Sequence, residues 1–124
     1  MHALKALILV SLVFLVSCSP KELPIDLLVE MQGIKYEVNS DTPFTGISFE
    51  NHDNGQIKER INYKDGEKEG LWESYHENGQ LEYKLNYKDG KVHGLEEWYS
   101  EDGELSYKTC YDNGEKVDMS YCEK

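Results

Sequence analysis

The sequence predicts an all-β protein: a repetitive antiparallel β-meander in an elongated single sheet, built from about three 24-residue units and preceded by a signal peptide. The first observation is an internal repeat, because nine of the ten glycines recur at a step of 24 residues, at positions 46, 70, 94; 55, 79, 103; and 66, 90, 114. The second is strict alternation of apolar and polar residues, which places one set of side chains on one face of a strand. The alternating apolar residues are Leu81, Tyr83, Leu85 and Tyr87. The third is the pair of turn dipeptides that bound this strand, Asn78-Gly79 and Asp89-Gly90, since such pairs tolerate the positive φ of tight hairpins.

Residues 1–17 are predicted to be an export signal. Lys5 precedes an apolar run at 6–16, which is too short for a spanning helix. The residues Leu15-Val16-Ser17-Cys18 resemble the lipobox of bacterial lipoproteins. That resemblance implies acylation of Cys18 and a lipid-anchored protein of the cell envelope. Ser19 after the cysteine implies the outer membrane, with the protein facing the periplasm. An uncleaved anchor with an incidental cysteine is the alternative.

Residues 18–24 contain two prolines, Pro20 and Pro24, and are predicted to be a stiff tether. Residues 25–45 are more apolar and predict N-terminal strands that cover the first repeat, as an end unit should. A short helix at 25–31 is the alternative for the start of this stretch.

Residues 46–124 are predicted to form the repeats, as units 46–69, 70–93 and 94–117 and a partial unit 118–124. Each complete unit supplies two strands and two turns. The predicted strands lie near 46–52, 56–63, 70–76, 80–87, 94–100, 104–111 and 118–122. The sequence leaves open which face of the sheet carries Trp72 and Trp98, because a register slip of one residue exchanges the faces.

The units GLWESYHENGQLEYKLNYKDG and GLEEWYSEDGELSYKTCYDNG resemble the MORN repeat variant of the family described as YwqK-like antitoxin components. The resemblance covers about residues 34–124, and GISFENHDNGQIKERINYKDG is a looser copy. It implies a repeat protein that acts by contact, and its name implies an antitoxin or immunity protein that blocks a cognate toxin.

The composition is acidic, with a net charge of −11. Nucleic acid is therefore not expected as a partner, because phosphate binding needs a basic surface. Solubility of a flat sheet explains most of this charge, and a partner attracted by it would be cationic.

Cys110 and Cys122 are predicted to form a disulfide, as an even pair does in an exported protein. The expected geometry sets them opposite each other on adjacent strands, which would also place Asn86 opposite Trp98. Two free buried thiols are the alternative.

Trp72, Tyr75, Trp98 and Tyr99 are the densest aromatic group and the candidate partner-binding residues. Packing against the sheet is the alternative role. If the rings are exposed, they would form a binding strip for a protein. A glycan platform is a further option, similar to the aromatic repeats of cell-wall binding modules.

No catalytic residue, metal site or cofactor is predicted. His52 and His76 are one unit apart, about 10 Å across the sheet, which is too far for two ligands of one ion. The acidic turns, such as Asp53-Asn54-Gly55, lack the spaced oxygen ligands of a calcium loop. The expected function is a lipid-anchored, non-catalytic protein-interaction or structural module. The alternatives are an antitoxin or immunity protein and a cell-wall glycan-binding module.

Overall fold

A computed structural model describes residues 19–123 of the chain; the predicted signal peptide and the predicted lipidation site, Cys18, lie outside the described residues. The strands in chain order are β1 (Glu22–Pro24), β2 (Leu28–Met31), β3 (Ile34–Glu37), β4 (Gly46–Asn51), β5 (Ile57–Lys64), β6 (Glu67–Tyr75), β7 (Leu81–Lys88), β8 (Lys91–Val92), β9 (Gly94–Tyr99), β10 (Leu105–Asp112) and β11 (Glu115–Val117). Two 3-10 turns lie at Ile25–Leu27 and Met119–Tyr121.

The predicted meander is confirmed. Within residues 19–123, one nine-stranded sheet runs in the order β1-β4-β5-β6-β7-β9-β10-β11, with β8 also paired to β7. Every pairing from β4 to β11 is antiparallel. A second, two-stranded sheet of β2 and β3 forms no strand pairing with it. The predicted sheet is therefore accompanied by a separate hairpin.

Two kinds of turn alternate along the meander. At Asp65 and Gly66 both φ angles are positive, 50° and 82°, which is the conformation of a two-residue type I′ hairpin. The other kind places Gly55 in the left-handed region, φ 85°, with its N–H donating to the carbonyl of His52 at 2.9 Å. A register irregularity follows where Asn51 pairs with Ile57, because a left-handed residue after a type I turn adds a bulge.

The tether predicted at 18–24 ends inside the sheet. Residues Glu22–Pro24 pair with β4 in parallel, and the carbonyl of Lys21 accepts the N–H of Ile47 at 2.8 Å. This approach requires Gly46, because a Cβ there would collide with the Lys21 carbonyl oxygen and the Phe44 ring. Three residues that include a proline are too few to show strand periodicity, so the sequence did not reveal β1.

The hairpin of β2 and β3 lies over the first unit. Leu28 and Phe44 form a buried cluster with Ile61 and Tyr63 of β5. The hairpin is joined to the first type I′ turn by the Lys35 N–H, which donates to the Gly66 carbonyl at 2.9 Å. The described core is therefore concentrated at the N-terminal end of the sheet.

The strand predicted at 118–122 is wrong. After β11 the chain leaves the sheet at Asp118, whose side chain caps the 3-10 turn Met119–Tyr121 by accepting the Ser120 N–H at 2.9 Å. The equivalent positions in the preceding units are Gly70 and Gly94, each with φ 88°. Asp118 has φ −62° instead, since a left-handed φ is costly for a residue with a side chain.

Cys110 and Cys122 form a disulfide with Cα atoms 6.0 Å apart, a usual separation. The predicted register around it is wrong, however, because Cys110 lies opposite Val117. Trp98 likewise lies opposite Tyr83 and not opposite Asn86. Irregularities such as the one between Ile61 and Tyr63 shift the register, and residue spacing does not reveal them.

The register gives the sheet two different faces. We call one the charged face, because opposite residues on β5 to β10 alternate in sign across it: Arg60, Glu73, Lys84, Glu97 and Lys108. We call the other the aromatic face, on which opposite residues include Ile61, Trp72 and Leu85 in one row and Tyr83, Trp98 and Tyr107 in the next. Opposite charges across neighbouring strands favour this register.

Candidate interaction surface

Three aromatic side chains in contact form the centre of the aromatic face. The rings of Trp72 and Tyr83 meet edge to face with centroids 5.4 Å apart. The rings of Tyr83 and Trp98 are closer, with centroids 4.2 Å apart. Tyr83 is buried, whereas Trp98 is 41% exposed and Tyr107, opposite it, is 51% exposed. The aromatic face is therefore buried at Tyr83 and exposed to solvent at Trp98 and Tyr107, towards the C-terminal end of the sheet.

A carboxylate lies among these rings. Glu96 Oε1 accepts hydrogen bonds from the Tyr83 hydroxyl at 3.0 Å and from Trp98 Nε1 at 3.1 Å. Burial raises the pKa of Tyr83, and its hydrogen bond to Glu96 raises that pKa further. Because the hydroxyl donates to a carboxylate, losing its proton would place two negative charges together. Glu96 thus fixes the orientation of both neighbouring rings.

A cation of the chain itself already rests on this face. Lys68 Nζ lies 4.6 Å from the Trp72 ring centroid and 5.1 Å from that of Tyr87. Both distances are within the range of cation–π attraction. The aromatic face can therefore hold an ammonium group, and it does so on the Tyr87 side of Trp72.

Trp72 also lines a cavity of about 390 Å³, which we call the aromatic groove and which neither Lys68 nor Tyr87 lines. Three aromatic rings line it together with polar and charged side chains, which we call its rim. The lining residues are Trp72, Tyr83, Trp98, Ser74, His52, Lys58, Glu59 and Glu82. A cavity of this size accommodates one or two side chains of a partner.

The profile of the family described as MORN repeat variant matches residues 44–65, 68–89 and 92–113. The chain belongs to the MORN repeat variant family. The starts of the three matches, at 44, 68 and 92, repeat the 24-residue step of the glycines. No curated protein and no solved structure matches the chain significantly.

The four aromatic residues predicted to bind a partner do not form one group. Trp72 and Trp98 lie in the aromatic groove. Tyr99 follows Trp98 on its strand and points its hydroxyl at Glu97 of the charged face, 2.6 Å away. Tyr75 and Glu73 are the equivalent pair one MORN repeat earlier. The pKa of Tyr75 is raised by burial, then by the charge of Glu73, and then by a hydrogen bond to Glu73. Alternation of side chains along a strand separates each Trp from its neighbouring Tyr.

The sequence reasoning missed Tyr83, Glu96 and Glu59 as parts of this surface. Tyr83 was recognised only as one member of an alternating set of strand residues. The acidic residues had no signal of their own, because a chain with 24 acidic residues offers many equivalent candidates. Strand pairing brings them together, because Glu59 lies opposite Ser74, Ser74 opposite Tyr83, and Tyr83 opposite Trp98.

The two histidines one MORN repeat apart each bind the backbone of the following repeat. His52 Nε2 donates to the Tyr75 carbonyl at 2.7 Å, and His76 Nε2 donates to the Tyr99 carbonyl at 2.9 Å. No group of three or more His, Cys, Asp or Glu side chains suited to a metal ion occurs among the described residues. Within the same described part of the chain, no helix has the length and apolar character needed to cross a membrane.

Proposed function

We propose that this MORN-repeat protein is a non-catalytic protein-interaction module that binds its partner through the C-terminal part of the aromatic face. The observation that carries the proposal is the half-exposed pair Trp98 and Tyr107, which lie opposite each other on this face. Aromatic side chains provide large contact area at a small entropic cost, and they are enriched at protein interfaces.

The bonding of the ionisable residues supports a role without catalysis. The imidazoles of His52 and His76 are engaged with backbone carbonyls. Glu96 is engaged with a tyrosine and a tryptophan. These contacts orient rings and join repeats, which is the work of a scaffold for binding.

The proposal includes a lipid anchor on Cys18, in the outer membrane and facing the periplasm. Support comes from the sequence around Cys18 and from the position of β1, which begins at Glu22. Four residues span at most about 14 Å, so an acylated Cys18 would hold the β1 edge of the sheet close to the membrane surface. Acyl chains stabilise such attachment by about 0.8 kcal/mol per buried methylene.

The anchor is tested by fractionating cells that produce the Cys18→Ala variant. We expect the protein to leave the membrane fraction, whereas a Ser17→Ala control stays there. Retention of Cys18→Ala in the membrane would remove the anchor from the proposal, but it would leave the binding role intact.

The binding role is tested by photo-crosslinking in intact cells from a probe at position 98. The matched control carries the probe at position 108, on the neighbouring strand but on the charged face. We expect one protein to be captured from position 98 and not from 108. Equal capture from both positions, or none from either, would contradict binding through the aromatic face.

The second candidate function is that of an antitoxin or immunity protein. The resemblance to YwqK-like antitoxin components supports it, and so does the net charge of −11, which suits a basic toxin. The test is a neighbouring gene whose expression kills cells only when this gene is deleted. A cell-wall glycan is the third candidate, and recovery of glycan fragments on the probe at 98 would favour it over a protein.

A further inference from the structure

We propose that the aromatic groove is a binding site for a lysine or arginine side chain of the partner. This inference rests on the proposed function, because it names the chemistry that the partner presents to the aromatic face. The occupant is a cationic segment of a protein, and its charged group sits over Tyr83 and Trp98 between acidic rim residues.

The walls of the groove suit a cation because they include three electron-rich aromatic rings, whose faces attract positive charge. Trp72, Tyr83 and Trp98 are held in mutual contact at 5.4 and 4.2 Å between centroids. A guanidinium or ammonium group over such rings is attracted by their quadrupoles. The chain provides its own precedent, since Lys68 Nζ lies 4.6 Å from the centroid of the Trp72 ring.

The rim of the groove supplies negative charge. Glu59 and Glu82 line it, and within residues 19–123 no lysine or arginine lies within ion-pair distance of either carboxylate. The one lysine of the rim, Lys58, is paired with Glu50 at 3.7 Å. His76 Nδ1 lies 3.9 Å from Glu82. The groove therefore offers acidic groups to a cation that comes from outside.

Glu96 acts as a positioning residue for the groove. Its carboxylate holds the Trp98 indole by Nε1 and the Tyr83 ring by the hydroxyl. Trp98 is on the exposed side of that pair. Rings fixed in advance lose little entropy when a ligand binds, so this contact prepares the wall for the incoming side chain.

The first test is a titration of the full-length protein in nonionic detergent with a blocked tetra-arginine peptide. The readout is the indole N–H signals in nitrogen-15 NMR, of which two are expected because the chain has two tryptophans. We expect saturable shifts with arginine and with a tetra-lysine peptide, and none with tetra-glutamate.

Substitutions then separate the aromatic and the acidic contributions. We expect Trp98→Leu to weaken binding about tenfold and Trp98→Phe, which keeps a ring, by no more than about threefold. Glu59→Gln should weaken binding about fivefold. Glu104→Gln, the matched control on an exposed turn of the third repeat, should leave binding unchanged.

The inference is overturned if no saturable shift occurs, if Trp98→Leu and Trp98→Phe behave alike, or if Glu104→Gln weakens binding as much as Glu59→Gln. The last result would show attraction by net charge alone. A partner captured from position 98 that presents no lysine or arginine there would also sink the inference, while the proposed function would stand. Saturable peptide binding with no protein captured from position 98 would contradict the proposed function, while the affinity of the groove for a cation would stand.

Discussion

Asn78 shows at the scale of one residue how a MORN repeat is joined to the next. Its Nδ2 donates to the Glu101 carbonyl at 2.8 Å, and its Oδ1 accepts the Gln80 N–H at 3.0 Å. Asn54 makes the same two contacts one repeat earlier. In the third repeat this position is Asp102, whose carboxylate accepts the Glu104 N–H at 3.2 Å. A carboxylate cannot donate a hydrogen bond to a carbonyl. An amide is thus found where a following carbonyl must be reached, and a carboxylate where only the turn is closed.

We expect Asn78→Asp to lower the free energy of unfolding by about 1–2 kcal/mol, because it removes the donor and sets a charge against a carbonyl oxygen. Urea unfolding followed by circular dichroism measures the change. Asp102→Asn is the matched control and should change stability by less than about 0.5 kcal/mol. Equal effects at both positions would show that the contact between repeats contributes nothing.

The buried tyrosines predict a loss of stability in alkali. Burial raises the pKa values of Tyr63, Tyr83 and Tyr87 above the ordinary 10.0. Well below pH 10 these hydroxyls are protonated in both the folded and the unfolded state. As the pH rises further, the unfolded chain releases its protons first, so the free energy of unfolding falls.

The measurement is the urea midpoint between about pH 9 and pH 11. Tyr83→Phe should flatten this decline. Tyr107→Phe is the control, because the pKa of Tyr107 is lowered, first by the neighbouring Thr109 side chain and then by Lys116. A decline that Tyr83→Phe leaves unchanged would assign it to other groups, such as lysines.

At the scale of elements, the disulfide holds the chain end where the repeat pattern stops. Cys110 is fully buried on β10, and Cys122 follows the 3-10 turn. Closing a loop of sequence separation 12 stabilises by about 3 kcal/mol when it constrains the unfolded chain.

Reduction should therefore lower the free energy of unfolding by about 3 kcal/mol. The urea midpoint with and without reductant measures this loss. A Cys110→Ser/Cys122→Ser variant should already lack that stability and should not respond to reductant. An intact mass that stays the same on reduction would show that the bridge is absent from the purified protein.

The elements that the sequence predicted well are those with two independent signals. Strands β4, β5, β7, β9 and β10 lie within one residue of their predicted bounds, because turn glycines bound them and side-chain alternation marks their interiors. The chain ends carried only one signal or none. Met119–Tyr121 continues the spacing of the repeats, yet one missing glycine at Asp118 turns it out of the sheet.

The sequence predicted the two tryptophans of the candidate surface but not the residues that they contact. Trp72 and Trp98 stand out by residue type, and both lie in the aromatic groove. Their partners depend on which residues face each other across strands, and that register is set by irregularities at turns such as the one between Ser74 and Tyr75. A shift of one residue would have exchanged Trp98 for Tyr99 on the aromatic face.

At the scale of the whole molecule, the sheet is an array in which strands of neighbouring repeats pair in chain order. Inserting a second copy of residues 70–93 after His93 should extend the sheet by one repeat and raise the free energy of unfolding. The denaturant dependence should rise as well, because more surface is exposed on unfolding.

A glycine-serine insert of equal length at the same site is the control, and it should lower stability slightly through loop entropy. The two inserts are compared by urea unfolding. If both act alike, the repeats are not interchangeable units, and the array picture of the molecule fails.

The placement of the β2–β3 hairpin over only the first repeat has a consequence for motion. Buried side chains crowd around Ile61 and Tyr63, whereas residues 105–108 of β10 are exposed. The free energy of local opening is smaller where fewer side chains are buried, so the sheet should open locally from its C-terminal side. Deuterium should therefore enter the amides of residues 105–108 sooner than those of β5, which would place the aromatic groove between a slowly exchanging N-terminal part and a faster exchanging C-terminal strand.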